Sequence, residues 1–149
     1  YSNKGHDGFL GNSVIGEWCN LGADTNSSNL KNNYSNIRVW SYSAEGTIDT
    51  NLQFHGLIMG DHSKCGINTM FNTGTIVGVG ANLFGGNFLP KFIPSFSWGG
   101  SEITETYQFD KAMSVASVVM ERRNLTLTDA DKNILSQVFT DSKKYRSWE

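Results

Sequence analysis

Three histidines carry the only side chains in this sequence that ordinarily change charge near neutral pH, which makes them its first candidates for moving a proton. His6 opens with Gly5 and is followed by Asp7-Gly8, His55 lies in a segment rich in Asn, Ser and Thr, and His62 follows Gly60-Asp61. No two of them have helical or hairpin spacing, so a zinc site built from them is not expected. On the residues alone, His6 reads as a surface histidine at a corner, and a role as a base needs a further argument. Cys19 and Cys65 have no CxxC or His-rich neighbourhood and are expected to be reduced, structural thiols.

What would position these groups is a hexapeptide repeat. Met59, Cys65, Phe71, Val77 and Leu83 are spaced six apart, with Ser63, Thr69, Thr75, Ala81 and Asn87 four residues after each. Phe9, Ile15 and Leu21 start an earlier block of the same phase, followed by Ser13, Cys19 and Thr25. A six-residue period means one short strand and one turn per unit, and stacked coils bury the first residue of every unit in a shared core. The fifth residue also points inward, near a corner with little room. Gly is common second, at Gly16, Gly22, Gly60, Gly66 and Gly78, where a tight corner is expected to favour a residue without Cβ. The fold class is therefore an all-β solenoid over residues 1–100.

Residues 1–8 keep the phase, with Asn3 and Asp7 at core-facing positions, so the chain is expected to begin inside a longer solenoid as the C-terminal part of a larger protein. From Ser27 to Gly56 the register fails, and Ile37–Tyr42 alternates before Ala44-Glu45-Gly46 as in a hairpin, giving an excursion over 27–56. The stretch from Leu83 to Gly100, with Pro90 and Pro94, reads as an extended exit segment over neighbouring surface. Residues 101–149 then change period. Tyr107, Ala112, Met113, Val115, Ala116, Val119 and Met120 recur at helical spacing and end in Arg122-Arg123. A second helix is expected after Thr128 as N-cap with Asp131 three residues on, burying Ile134, Leu135, Val138 and Phe139.

The 149 residues allow one domain with an appendage. A net charge of −2 gives no general attraction to nucleic acid or anionic membrane, and the apolar runs are too short and broken to span a bilayer. Lys143, Lys144 and Arg146 alternate with acids and read as a solvated helix face. A cytoplasmic protein is expected.

The run Gly5-His6-Asp7-Gly8-Phe9-Leu10-Gly11-Asn12, continuing through Asn20 to Thr25, resembles the acetyltransferase half of the bifunctional glucosamine-1-phosphate acetyltransferase / N-acetylglucosamine-1-phosphate uridyltransferase family. Gly60-Asp61-His62-Ser63-Lys64-Cys65-Gly66 and Pro94-Ser95-Phe96-Ser97-Trp98-Gly99-Gly100 resemble stretches of sugar nucleotidyltransferases of that kind from Bacteroidetes. The resemblance implies a left-handed parallel β-helix and a homotrimer with active sites between subunits. It also implies an N-terminal nucleotidyltransferase domain outside this sequence, the only part for which Mg2+ is expected. His6 falls where the family has the base that deprotonates the amino sugar. Asn20 and Asn29 fall where it has asparagines lining the sugar and acetyl sites. The backbone of Ala23 would meet the oxyanion formed from acetyl-CoA, and Lys31 and Arg38 are the available substitutes for basic residues that hold the sugar phosphate. Phe9 stands in place of the family's tyrosine, and Asp24 in place of a glycine.

The expected function is an acyl-CoA-dependent, most simply acetyl, transferase domain acting on an amino-sugar phosphate or nucleotide sugar, as part of a sugar-1-phosphate nucleotidyltransferase. The alternatives are a non-catalytic trimerisation and regulatory module of such an enzyme, and a sugar-binding or structural solenoid.

Overall fold

A computed structural model describes residues 1–149. The first block forms two-residue strands β1 (Val14–Ile15), β2 (Asn20–Leu21) and β3 (Asn26–Ser27). The excursion holds β4 (Arg38–Ser41) and β5 (Gly46–Asp49), an antiparallel hairpin. The second block gives β6 (Ile58–Met59), β7 (Lys64–Cys65), β8 (Met70–Phe71), β9 (Ile76–Val77) and β10 (Asn82–Leu83). β11 (Phe92–Ile93), β12 (Ser97–Gly99) and β13 (Ile103–Thr106) lead to helices α1 (Phe109–Glu121) and α2 (Asp129–Asp141).

The strands stack into one sheet of order β1-β6-β9-β11, a second of order β2-β7-β10-β12-β13 and a third pair β3-β8, all parallel except β12 with β13. Ile15, Met59, Val77 and Ile93 lie in register on the first face, Leu21, Cys65 and Leu83 on the second, and Ser27 and Phe71 on the third. Nearly all of these join one core cluster, with Cys19 and Ala81 beside them. The third face is held by a single strand pair and the bridges Leu10–Ser27 and Met70–Phe88, so continuous sheet does not close the solenoid there. Mostly parallel strands with two C-terminal helices fit a β-helix. Cys19 and Cys65 are buried and free.

The glycine expectation is corrected in its cause. The second-position glycines do not take positive φ. A Cβ on Gly22 would lie 2.4 Å from Gly66 C, and one on Gly78 2.4 Å from Ser95 N, so close approach of successive coils excludes a side chain there, whereas one on Gly66 would meet nothing nearer than 3.7 Å. The left-handed conformation falls instead on the fourth position of most units, at Asn12, Trp18, Asp24, His62, Asn68, Gly74, Gly80 and Phe96, while the unit begun by Leu83 takes positive φ at Gly85 and Asn87. Trp18, His62 and Phe96 therefore project outward from one corner. Trp18 packs with Ala116, Met120 and Leu135, and Phe96 with Tyr107 and Ala112. The corner ladder docks the helices.

Other expectations change with it. Phe9 is 54% exposed, and Leu10 packs against the core in its place. Asn3 and Asp7 are also exposed, because the first coil is one residue short and pairs at an offset of 17, Asn3 with Asn20 and Leu10 with Ser27. Asn87 is exposed, and Leu89, six residues after Leu83, enters the core. The Pro-containing stretch is no overlying exit segment: β11 and β12 add further rungs to the first two sheets. β12 then pairs with β13, which carries the second sheet past residue 100.

The excursion packs Ile37 and Val39 against Ile76. Trp40 stacks on Phe92 at 4.3 Å, and Tyr42 and Tyr145 meet edge to face at 5.4 Å. Lys144 and Tyr145, in the short 3-10 turn after α2, both donate to Glu45 in the hairpin turn. Thr128 caps α2 in a reciprocal capping box with Asp131. Leu135 is buried as expected, but Ile134 is 63% exposed and Val115 lies at the surface, each just outside the stripe its helix turns inward. Arg146 is no solvated residue. It is 2% exposed and donates to Ser95 O, Phe139 O, Ser142 Oγ and Glu149, tying the C-terminus to the solenoid.

Candidate functional site

The offset of 17 determines what the first coil can do. Asn3 Nδ2 donates to Asn20 Oδ1 at 3.3 Å, Phe9 N–H to Asn26 Oδ1 at 2.9 Å, and Asn29 Nδ2 to Asn12 Oδ1 at 2.6 Å. Counted at that offset, His6 falls opposite Ala23 of the next coil, between the bridges Asn3–Asn20 and Leu10–Ser27. His6 is exposed, and its carbonyl accepts from Lys4 Nζ at 2.8 Å. Ala23 accepts from the Asn68 N–H at 2.8 Å, while its own N–H makes no hydrogen bond within the chain. Asp24 has φ 55°, the left-handed region where glycine is unstrained, and its carboxylate accepts from Asn26 Nδ2 at 3.2 Å.

Lys31 and Arg38 lie elsewhere. Lys31 Nζ donates to Asn36 O at 2.6 Å, and Arg38 Nη2 to Thr47 O at 3.2 Å. Between them sits Lys91, whose Nζ donates to Arg38 O at 3.1 Å; burial, then its two cationic neighbours, hold this amine below its usual pKa. These cations surround the base of the hairpin and do not join Asn20.

Asn20 instead lines a cleft of 510 Å³ with Tyr1, Trp18, Lys64, Arg122 and Arg123. The outer face of the second sheet supplies Asn20 and Lys64, neighbours in register on β2 and β7. The end of α1 supplies Val119 and the two arginines that follow. Tyr1 stacks on Trp18 with ring centroids 4.3 Å apart. Lys64 Nζ donates to His62 O at 2.9 Å, and burial lowers the pKa of its amine. Cys19 reaches the same cleft, but burial pushes its thiol up, away from a reactive thiolate. Sequence reasoning missed Lys64 and the arginines as partners of Asn20. Lys64 carries a signal, since it occupies the same outward repeat position as Asn20 and Asn82, but the docking of α1 beside it carries none.

His62 lies behind this cleft, its ring near that of Trp18 at 6.3 Å and its Nδ1 buried without a partner. Burial, then Lys64, hold the imidazole below its usual pKa, against Asp61 and Asp131. A larger, mostly apolar cleft of 790 Å³ runs between the first sheet, Tyr42 of the hairpin and the end of α2. It contains none of the candidate site residues His6, Asn20, Ala23, Asn29, Lys31 and Arg38, so the first coil and the basic cleft are the candidate site.

The chain is similar to the bifunctional protein GlmU of Methanococcus aeolicus, with 33% identity over 102 residues. The match covers 66% of this chain and 24% of that protein, so the chain spans about a quarter of its relative's length. No family model matches the sequence. No helix is long and apolar enough to cross a membrane.

Proposed function

We propose that this chain is an acyl-CoA-dependent transferase domain, with acetyl-CoA as donor and an amino-sugar phosphate or nucleotide sugar as acceptor, belonging to a sugar-1-phosphate nucleotidyltransferase. In this reading the solenoid is left-handed, the active assembly is a cytoplasmic homotrimer, and the nucleotidyltransferase half lies N-terminal to Tyr1. The similarity to a bifunctional GlmU supports it. The observation that supports it most is the offset of 17 between the first two coils, by which His6 counts opposite Ala23.

In that arrangement the imidazole of His6 takes a proton from the acceptor's attacking amine. The amine nitrogen bonds to the thioester carbonyl carbon, and the developing oxyanion meets the free Ala23 N–H. Collapse breaks the C–S bond, and the coenzyme leaves as a thiol with the proton His6 held. Asn20 and Asn29 orient the acceptor and acetyl groups, and a neighbouring subunit covers His6 from solvent. Lys31 and Arg38 serve the phosphate only if that neighbour brings them to the cleft. Calorimetric titration with acetyl-CoA tests the reading: saturable binding supports it, and no heat at millimolar donor sinks it.

The second reading, a non-catalytic trimerisation module, draws on the exposed Ile67, Met70, Phe84 and Phe88. It predicts a trimer in sedimentation together with no donor binding.

A further inference from the structure

The cleft between the end of α1 and the second sheet has a charge pattern of its own. Lys64, Arg122 and Arg123 converge there with no carboxylate among its lining residues. None of the three is in an ion pair, although the chain forms four elsewhere. Unlike Arg146, whose guanidinium is fully engaged, the Arg122 and Arg123 side chains make no hydrogen bond within the chain, leaving two planar forks free for oxygen ligands. Lys64 differs from a mobile surface lysine: it is half-buried, held at the His62 carbonyl, and set between the amide side chains Asn20 and Asn82 on the same sheet face. Asn3 extends that row, and the stacked Tyr1 and Trp18 give the cleft an aromatic wall.

Cations without counter-charge, beside a row of amides that both donate and accept, match an anionic group carried on a hydroxylated body. We propose that this cleft binds the phosphoryl group of a small phosphorylated ligand, with Arg122, Arg123 and Lys64 on the phosphate and Asn20 and Asn3 on neighbouring hydroxyls. The site is composite. The solenoid alone supplies one cation, and the helical appendage completes it. This explains a function for the appendage beyond capping the coils. The proposal does not depend on acyl transfer, since a phosphate held here is bound whether or not His6 is a base.

The test is calorimetric titration of the whole chain with glucosamine 1-phosphate, 3′-phosphoadenosine 5′-phosphate and free glucosamine. The expected result is saturable binding of a phosphorylated probe and none of glucosamine. Raising the salt should weaken the binding. Affinity should fall about ten- to a hundredfold in the Arg122→Gln/Arg123→Gln double variant, as expected when charge-assisted hydrogen bonds are removed. Lys64→Met, which preserves the buried stem, should lose affinity as well. Preference for the sugar phosphate assigns the phosphate to an acceptor, and preference for the adenosine bisphosphate assigns it to a nucleotide cofactor. Equal binding of glucosamine, no binding of either phosphate at millimolar concentration, or unchanged affinity in the arginine variant overturns the proposal. Because the arginines are exposed, circular dichroism of that variant should match the parent, which separates a lost site from a lost fold. Phosphate binding without donor binding would retain this site and remove the acyltransferase reading.

Discussion

At Gly78 an added methyl group would collide with the backbone of the next coil, 2.4 Å from Ser95 N, whereas at Gly86 nothing lies within 4 Å. Gly78→Ala should therefore cost about 1–3 kcal/mol by overpacking, while Gly86→Ala should stay within about 0.5 kcal/mol; urea denaturation of the pair measures both. His62 gives a second residue-level expectation. Burial holds its folded-state pKa below the ordinary 6.5, so the unfolded chain takes up a proton first as pH falls. Its contribution to stability is full above about pH 6.5 and is lost as pH drops through that value toward the folded pKa. The melting temperature should fall from pH 7.5 to 5.5, and His62→Asn, which tolerates the left-handed backbone, should flatten that slope. Glu45, Asp131 and Glu149 have pKa values depressed below their ordinary 4.5, 3.8 and 4.5, so their effects occur at lower pH.

At the scale of elements, the hexapeptide phase was legible because it depends on local size: medium apolar side chains at first positions and Ser, Thr, Cys or Ala at fifth positions are what stacked coils can bury. Three things were not. The first coil drops one residue, and counting by six cannot reveal where, so Phe9 was assigned to the core that Leu10 supplies. Phe9→Ala should change stability by less than about 0.5 kcal/mol, and Leu10→Ala by about 1–2 kcal/mol, less than a full core truncation because Leu10 is only partly buried; thermal melts of the two variants check the register. The rungs β11 and β12 were hidden by prolines, which sit beside the strands rather than in them. The buried Arg146 was hidden by its charged neighbours, because the Ser95 carbonyl that receives its guanidinium is distant in sequence. The helices were read correctly where local chemistry decides, as at the capping box, and Thr128→Ala should cost about 1 kcal/mol. Ile134 failed because only tertiary docking fixes which edge of an apolar stripe faces inward.

For the molecule as a whole, the candidate site was legible in part. The sequence brought forward His6, Asn20, Ala23 and Asn29, and the register stacks or pairs each of them within the first two coils. It could not place Lys64 beside Arg122 and Arg123, whose meeting depends on how α1 lands on the second sheet. The solenoid and appendage thus divide the work in this account: stacked coils align the proton-moving and amide groups, and the helix end adds charge. The most direct measurement is release of free thiol from acetyl-CoA in the presence of glucosamine 1-phosphate, for the parent chain and His6→Ala. Turnover by the parent is expected, with a loss of about 10²–10⁴-fold in the folded variant, the range for removing a general base. No thiol release by the parent, or equal rates in both proteins, would contradict it.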